Sequence, residues 1–251
     1  IYDAGDYPAT LEKLLEMANY AQLREEQARA RAEGRLYGIG IALAVDPSVS
    51  NMGYVTIAFD RKLRQRPGYQ AKSGAAETGT VMVDARGNVT CTINTCPEGQ
   101  GHETAVAQLV AEEFGIPIEN VRVVADFDSN SRAWSIATGT YSSRFAAAGA
   151  SSALLAARRV KEKMTTIAAH LLEAAPEDVV LEDGVFFVKG QPDRNVTFRR
   201  VAGTAHWNPN SLPPGVEPGL QNTSIWNFEH AVAPDDQDRV NSSQLYGFVG
   251  E

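Results

Sequence analysis

From Thr78 to Val83 the sequence alternates Thr, Gly, Thr, Val, Met and Val, turns at Asp84-Ala85-Arg86-Gly87-Asn88, and resumes the alternation from Val89 to Asn94. Only a pleated backbone sends successive side chains to opposite faces, so this pattern predicts a β-hairpin with one face available for burial. The period then changes. A turn at Pro97-Glu98-Gly99-Gln100-Gly101 leads into a helix to Phe114, Gly115-Ile116-Pro117 stops it, and Val121 to Ala125 reads as another strand. A polar loop follows to Ile136, and Thr138 to Arg144 opens a long helix reaching about Glu173. Val179 to Leu181 and Val185 to Val188, joined by Glu182-Asp183-Gly184, predict a second hairpin. Strands, hairpins and long helices in this order predict an α+β, or mixed α/β, fold and not a repeat array.

Leu11, Leu14, Leu15, Ala18 and Ala21 recur at helical spacing, which predicts one helix from about Pro8 to Glu33, solvated in its Arg- and Glu-rich second half. The apolar run Leu36 to Val45 is too continuous for an amphipathic helix and predicts a buried strand. Val49 to Ser73 carries Asn, Gly, Pro and five Arg or Lys without pattern, and is expected to be an irregular surface excursion. Beyond Gly203 the chain is rich in Pro, Asn and Asp, with Trp207 and Trp226, and is expected to wrap over the rest. The organisation expected is a helical lead-in over 1–35, a main subdomain over 36–203, and a wrapping segment over 204–251 that leads into a further strand.

A net charge of −8 argues against a nucleic-acid partner, which needs a basic footprint to displace counterions. Arg158, Arg159, Lys161 and Lys163 are spaced like the wet face of a helix. No stretch approaches the roughly 20 apolar residues that span a bilayer, and no signal-peptide pattern opens the sequence, so a cytoplasmic protein without a transmembrane segment is expected. Cys91 and Cys96 match neither a redox pair nor a metal-site spacing; buried free thiols in a reducing cytoplasm, not a disulfide or an iron–sulfur cluster, are expected. Ile1 in place of Met, and an end at Phe248-Val249-Gly250-Glu251 inside an apolar run, suggest a piece of a longer polypeptide.

Two glycine turns carry the chemistry. Gly99-Gln100-Gly101-His102-Glu103-Thr104 places small residues, an amide and a hydroxyl where a helix begins. First-turn amides lack partners within the helix and the helix dipole favours an anion, so such a turn can bind phosphate or can simply start a helix. Thr138-Gly139-Thr140-Tyr141-Ser142-Ser143-Arg144 repeats the arrangement with hydroxyls and a guanidinium suited to phosphate, or caps an Ala-rich helix. Neither fits the nucleotide loop ending in Gly-Lys-Ser/Thr nor Gly-x-Gly-x-x-Gly. A zinc-protease reading of His102-Glu103 fails because position 106 is Val106, and a hydrolase using His102 or His170 lacks a Gly-x-Ser-x-Gly elbow.

Glu98 to Thr104 with Ala107-Gln108 and Gly115-Ile116-Pro117 resembles the Gly-Gln-Gly stretch in the large subunits of molybdenum hydroxylases. That family includes xanthine dehydrogenases, aldehyde oxidases and carbon monoxide dehydrogenases. Gly139 to Arg144 resembles that family's Gly-Thr-Tyr/Phe-Gly-Ser-Arg stretch, with Ser142 where glycine is usual. Tyr2 to Tyr7 and Asp235 to Phe248 are similar to two further landmarks in the same order. The resemblance implies a cofactor-holding part of an oxidoreductase that transfers a hydroxyl group from water to a carbon centre. Its cofactor would be molybdenum on molybdopterin cytosine dinucleotide, with the remainder of the large subunit as a partner, iron–sulfur clusters and FAD on partner subunits or domains, and a dimer of heterotrimers as the assembly. By position, it counts Gly99, Gln100, Gly101, His102 and Thr104 as cofactor-binding, with Gln100 and Gly101 contacting the pterin or its phosphate and His102 and Thr104 supporting that turn. It assigns Gly139, Thr140, Tyr141, Ser142, Ser143 and Arg144 to the dinucleotide. No protein ligand to the metal and no catalytic residue is assigned. The family's proton-accepting glutamate lies in a Gly-Val-Gly-Glu context, which Val249-Gly250-Glu251 only mimics, so this stretch alone is expected to be inactive. The alternative is a non-catalytic binding or assembly protein that retains the fold.

Overall fold

The structure, a computed structural model, describes residues 6–42, 45–48, 53–72, 76–125, 144–226, 231–239 and 244–247. Two compact units emerge, residues 1–73 with 230–251, and residues 74–229.

In the first unit, α1 (Tyr7–Met17) and α2 (Tyr20–Ala32) replace the single helix expected. Asp6 caps α1 by accepting from the Ala9 amide at 3.0 Å. Asn19 stands between the helices at φ 47°, a left-handed conformation that asparagine tolerates and that breaks the run. The strand expected over Leu36 to Val45 is corrected: residues 36–42 form no strand and are largely exposed, Leu36 fully so. Their apolar side chains meet no sheet among the described residues, and pairing begins only at β1 (Val45–Ser48), antiparallel to β9 (Gln244–Gly247). Within the excursion expected to be irregular, two short helices form, α3 (Gly53–Ile57) and α4 (Arg61–Arg64). Asp238 accepts from Arg61 at 2.9 Å and from Arg64 at 2.5 Å, which ties α4 to the turn at 235–239.

The second unit is built on a four-stranded sheet of order β4-β3-β2-β8. The predicted hairpin is β2 (Glu77–Val83) with β3 (Val89–Ile93), in register from Gly79–Ile93 to Val83–Val89. Asp84 shapes its turn by accepting from the amides of Arg86 and Asn88. From β3 the chain crosses through α5 (His102–Phe114) to β4 (Val121–Val124), which lies parallel to β3. Gly115, at φ 59°, ends α5 as expected. Phe145–Ala150 form a π-helical turn that runs directly into α6 (Ser151–Leu171).

Val81, Val83, Val89, Cys91 and Ile93 on one sheet face pack against Val106, Val110 and Phe114 of α5 and Ala153, Ala156, Val160 and Met164 of α6. Gly79 lets α6 approach closely: a Cβ there would lie 2.6 Å from the Ala153 nitrogen. Arg158 and Lys161 form the wet face of α6 and reach Glu113 at 3.2 and 3.1 Å. A second sheet, β5 (Val179–Glu182), β6 (Val185–Val188) and β7 (Gln191–Thr197), contributes Phe186, whose ring stacks on Phe198 of α7 (Phe198–Trp207).

The stretch after Gly203, expected to wrap and to lead into a further strand, completes α7 and then supplies β8 (Leu220–Trp226), an edge strand antiparallel to β2. Its inward face offers Leu220 and Ser224, so hydrophobic alternation is too weak to mark a strand. These elements make the fold α+β, as expected.

Candidate functional site

The site lies where β3 ends and α5 begins. Asn94 and Thr95 are buried, and residues 96–101 carry the chain to the helix through Gly99 at φ 106° and Gly101 at φ 74°. A side chain is strained in those conformations, which is the reason for glycine here. At both positions the space a Cβ would take is open to 4 Å. The Gln100 Oε1 accepts from the Glu98 amide at 2.5 Å, so the side chain stiffens its own loop.

The α5 N-cap is Gly101, which provides no side-chain cap. The first-turn amides of His102, Glu103 and Thr104 therefore lack the usual capping oxygen, and they carry the positive end of the helix dipole. Glu103 and Thr104 are exposed. His102 is 1 % exposed and its ring lies parallel to that of Phe145, with centroids 3.7 Å apart and planes 9° apart. The His102 Nδ1 is 3.3 Å from the Thr95 carbonyl oxygen, which can only accept, so Nδ1 carries a proton and donates. That leaves Nε2 buried with no hydrogen-bond partner among the described residues, and the same holds for Asn94 Oδ1 and Thr78 Oγ1. Thr78 and Asn94 flank the Gly79–Ile93 pair at one end of the β2–β3 hairpin, and Asn94 precedes Thr95, whose carbonyl meets His102. A buried polar atom without a partner is costly, and His102 Nε2, on the residue that follows the open glycine turn, fits a bound polar group.

Arg144 is interior, 1 % exposed, and ion-paired with Glu77, which is equally buried. Burial pushes the Arg144 guanidinium down to about 10, which still leaves it cationic at neutral pH. Of the residues expected at the site, Gly99, Gln100, Gly101, His102 and Thr104 share one helix start. Arg144 is joined to them through its neighbour Phe145. Gly139, Thr140, Tyr141, Ser142 and Ser143 lie outside the described residues. Glu77, Thr78, Asn94, Thr95 and Phe145 were not legible as site residues. Glu77 and Thr78 look like any strand start, and only the lone aromatic before an Ala-rich run could have drawn attention to Phe145.

A family model for the molybdopterin cofactor-binding domain matches residues 13–250. The chain belongs to that family. The chain is 32% identical over 226 residues to the nicotine 6-hydroxylase large subunit of Paenarthrobacter nicotinovorans, covering 90% of this chain and 26% of that protein. It is 30% identical over 244 residues to the carbon monoxide dehydrogenase large chain of Afipia carboxidovorans, covering 93% and 27%. Among solved structures, quinoline 2-oxidoreductase from Pseudomonas putida 86 superposes with a TM-score of 0.65 at 33% identity, covering 91% of this chain and 27% of that one. The chain thus matches molybdenum hydroxylase large subunits, and spans about a quarter of the length of these relatives. Among the described residues, no cluster of His, Cys, Asp or Glu could hold a metal ion, and no helix is long and apolar enough to cross a membrane. In this molybdopterin-binding chain the glycine turn and the uncapped start of α5 are accordingly candidates for holding the organic part of the cofactor.

Proposed function

We propose that this chain holds a molybdopterin dinucleotide, the cytosine form, within a large subunit that hydroxylates a carbon centre with oxygen from water. The carrying observation is the glycine-opened start of α5, without a side-chain cap, and the buried His102 Nε2, which has no hydrogen-bond partner among the described residues. These features suit the group: first-turn amides donate to phosphate or pterin oxygens, and Nε2, with the proton on Nδ1, accepts from a pterin N–H. Gln100, Gly101 and Thr104 would line the same contact. Gly139 to Ser143 are proposed to grip the dinucleotide, with Arg144 anchoring the end of that segment on Glu77.

When bound, molybdenum on the pterin supplies the redox chemistry. The chain's own residues bind, orient and shield. The dipole of α5 offsets anionic charge, and the buried His102–Phe145 stack keeps water from one side of the imidazole. Iron–sulfur and FAD subunits, a dimer of heterotrimers and a reducing, cytoplasmic setting complete the proposal. The free thiols Cys91 and Cys96 suit such a setting. No specific observation favours a non-catalytic assembly role.

The test is chemical. The purified complete complex is expected to contain molybdenum and to release CMP on acid hydrolysis, and active material with neither would overturn the reading.

A further inference from the structure

Resting on that reading, we propose that Glu77 and Phe145 are positioning residues. In this view the Glu77–Arg144 ion pair sets the Phe145 ring against His102, and so fixes the imidazole and the Gly99–Gly101 turn in the attitude that receives the cofactor.

Glu77 and Arg144 are each 1 % exposed, so both charges have lost most of their water. An interior ion pair is a poor device for stability, since apolar residues of similar volume do as well or better; in some proteins its use is to specify one placement, and that is the role proposed for this pair. Glu77 is the first residue of β2, paired across to Trp226 of β8, and sits two residues before the Gly79–Ile93 pair. It is therefore fixed by one of the two interior strands of the sheet. Arg144 is the residue immediately before the π-helical turn, so holding its guanidinium on β2 decides where that turn starts. Single turns of π-helix inside longer helices occur frequently at functional sites.

The turn then grips the β3–α5 connection at two points. Its first residue, Phe145, lies flat on the His102 ring. Gly149, four residues on, faces Thr95: an added Cβ would come within 3.2 Å of Thr95 Oγ1 and 3.1 Å of the Phe145 ring. Thr95 also provides the carbonyl that accepts from His102 Nδ1. The ring is thus held at its face by Phe145 and at one nitrogen by Thr95, which leaves Nε2 with a single direction. Moving the π-helical turn swings that nitrogen.

The experiment uses the complete complex and two variants, with cofactor retention and thermal unfolding as the readouts. In the Glu77→Gln/Arg144→Met double variant no unpaired charge is left inside, so it is expected to unfold at the wild-type temperature or above it. It should nevertheless lose molybdopterin about tenfold faster on dilution, the lower end of the loss seen when a residue supporting a bound group is removed. Phe145→Leu keeps an apolar side chain but no ring plane and should show the same loss, whereas Phe145→Tyr should restore retention. If the double variant fails to fold, Phe145→Leu decides alone. Wild-type retention in a folded variant overturns the positioning role while the functional reading stands. A wild-type complex devoid of molybdopterin brings down that reading itself, and the positioning role with it.

Discussion

Gly79→Ala tests the packing on which the site is built. The new Cβ would lie 2.6 Å from the Ala153 nitrogen, 2.8 Å from the Ser152 carbonyl carbon and 2.9 Å from the Ala153 Cα. These are backbone atoms within a 21-residue helix, so no rotamer change relieves the contact. With non-bonded heavy atoms keeping about 3.5 Å, α6 must retreat by roughly 0.9 Å or β2 must bend. Overpacking of this kind costs about 1–3 kcal/mol, and the upper end applies because Ala153, Ala156 and Ala157 all lose part of their contact with the sheet. Replacing strand glycine returns about 0.5–1 kcal/mol in backbone entropy, which leaves a net loss of about 2 kcal/mol. The assay is amide exchange of β2 and α6 peptides in the complete subunit, where 2 kcal/mol appears as roughly thirtyfold faster exchange. Unchanged or slower exchange would refute the close-approach argument. Gly203→Ala is the opposite case. Inside α7 its Cβ would meet only the Ala85 carbonyl oxygen at 3.6 Å, an ordinary contact, so that variant should stabilise by about 0.5–1 kcal/mol.

Cys91 is buried, and burial pushes its thiol up to about 12, so iodoacetamide at pH 8 should label Cys96 and spare Cys91 until the protein unfolds. The sign of the linkage follows: with the folded pKa raised, the unfolded chain alone releases this proton as pH rises past about 9, and stability falls from there toward about 12. Hydrogen bonds from Arg64 and Arg61 hold the Asp238 carboxyl at about 2 against its ordinary 3.8. Its tie to α4 should be complete above 3.8 and be lost as pH falls through about 2, as carboxylate titration by NMR would show, and Asp238→Asn should loosen exchange in α4 at neutral pH. Gln100→Ala removes the side chain that accepts from the Glu98 amide, and pterin analysis should find lower cofactor content with an unchanged α5 exchange pattern.

The sequence was most informative where one local rule decided the outcome. Period-two alternation around Asp84–Asn88 placed β2 and β3, and Gly115 placed the end of α5. It misled where tertiary partners decide. The Leu36 run has every mark of a buried strand, yet hydrophobicity alone cannot create a neighbouring strand, and residues 36–42 are largely exposed. In the reverse direction β8 is polar and unmarked, but β2 needs an edge partner and its backbone supplies one. At the site, the glycine turn was legible because glycine at a helix start has few explanations. Glu77 was not: a glutamate before a strand reads as solvated, and only the fold brings Arg144 to it.

The central claim is that the turn at Gly99–Gly101 and the first turn of α5 hold the cofactor. Amide exchange at residues 99–104, compared between the loaded and the cofactor-free complete complex, tests it most directly. The account predicts that loading slows exchange at His102, Glu103 and Thr104, where no side chain caps the helix. Equal exchange there in both states, with protection arising elsewhere, would contradict it.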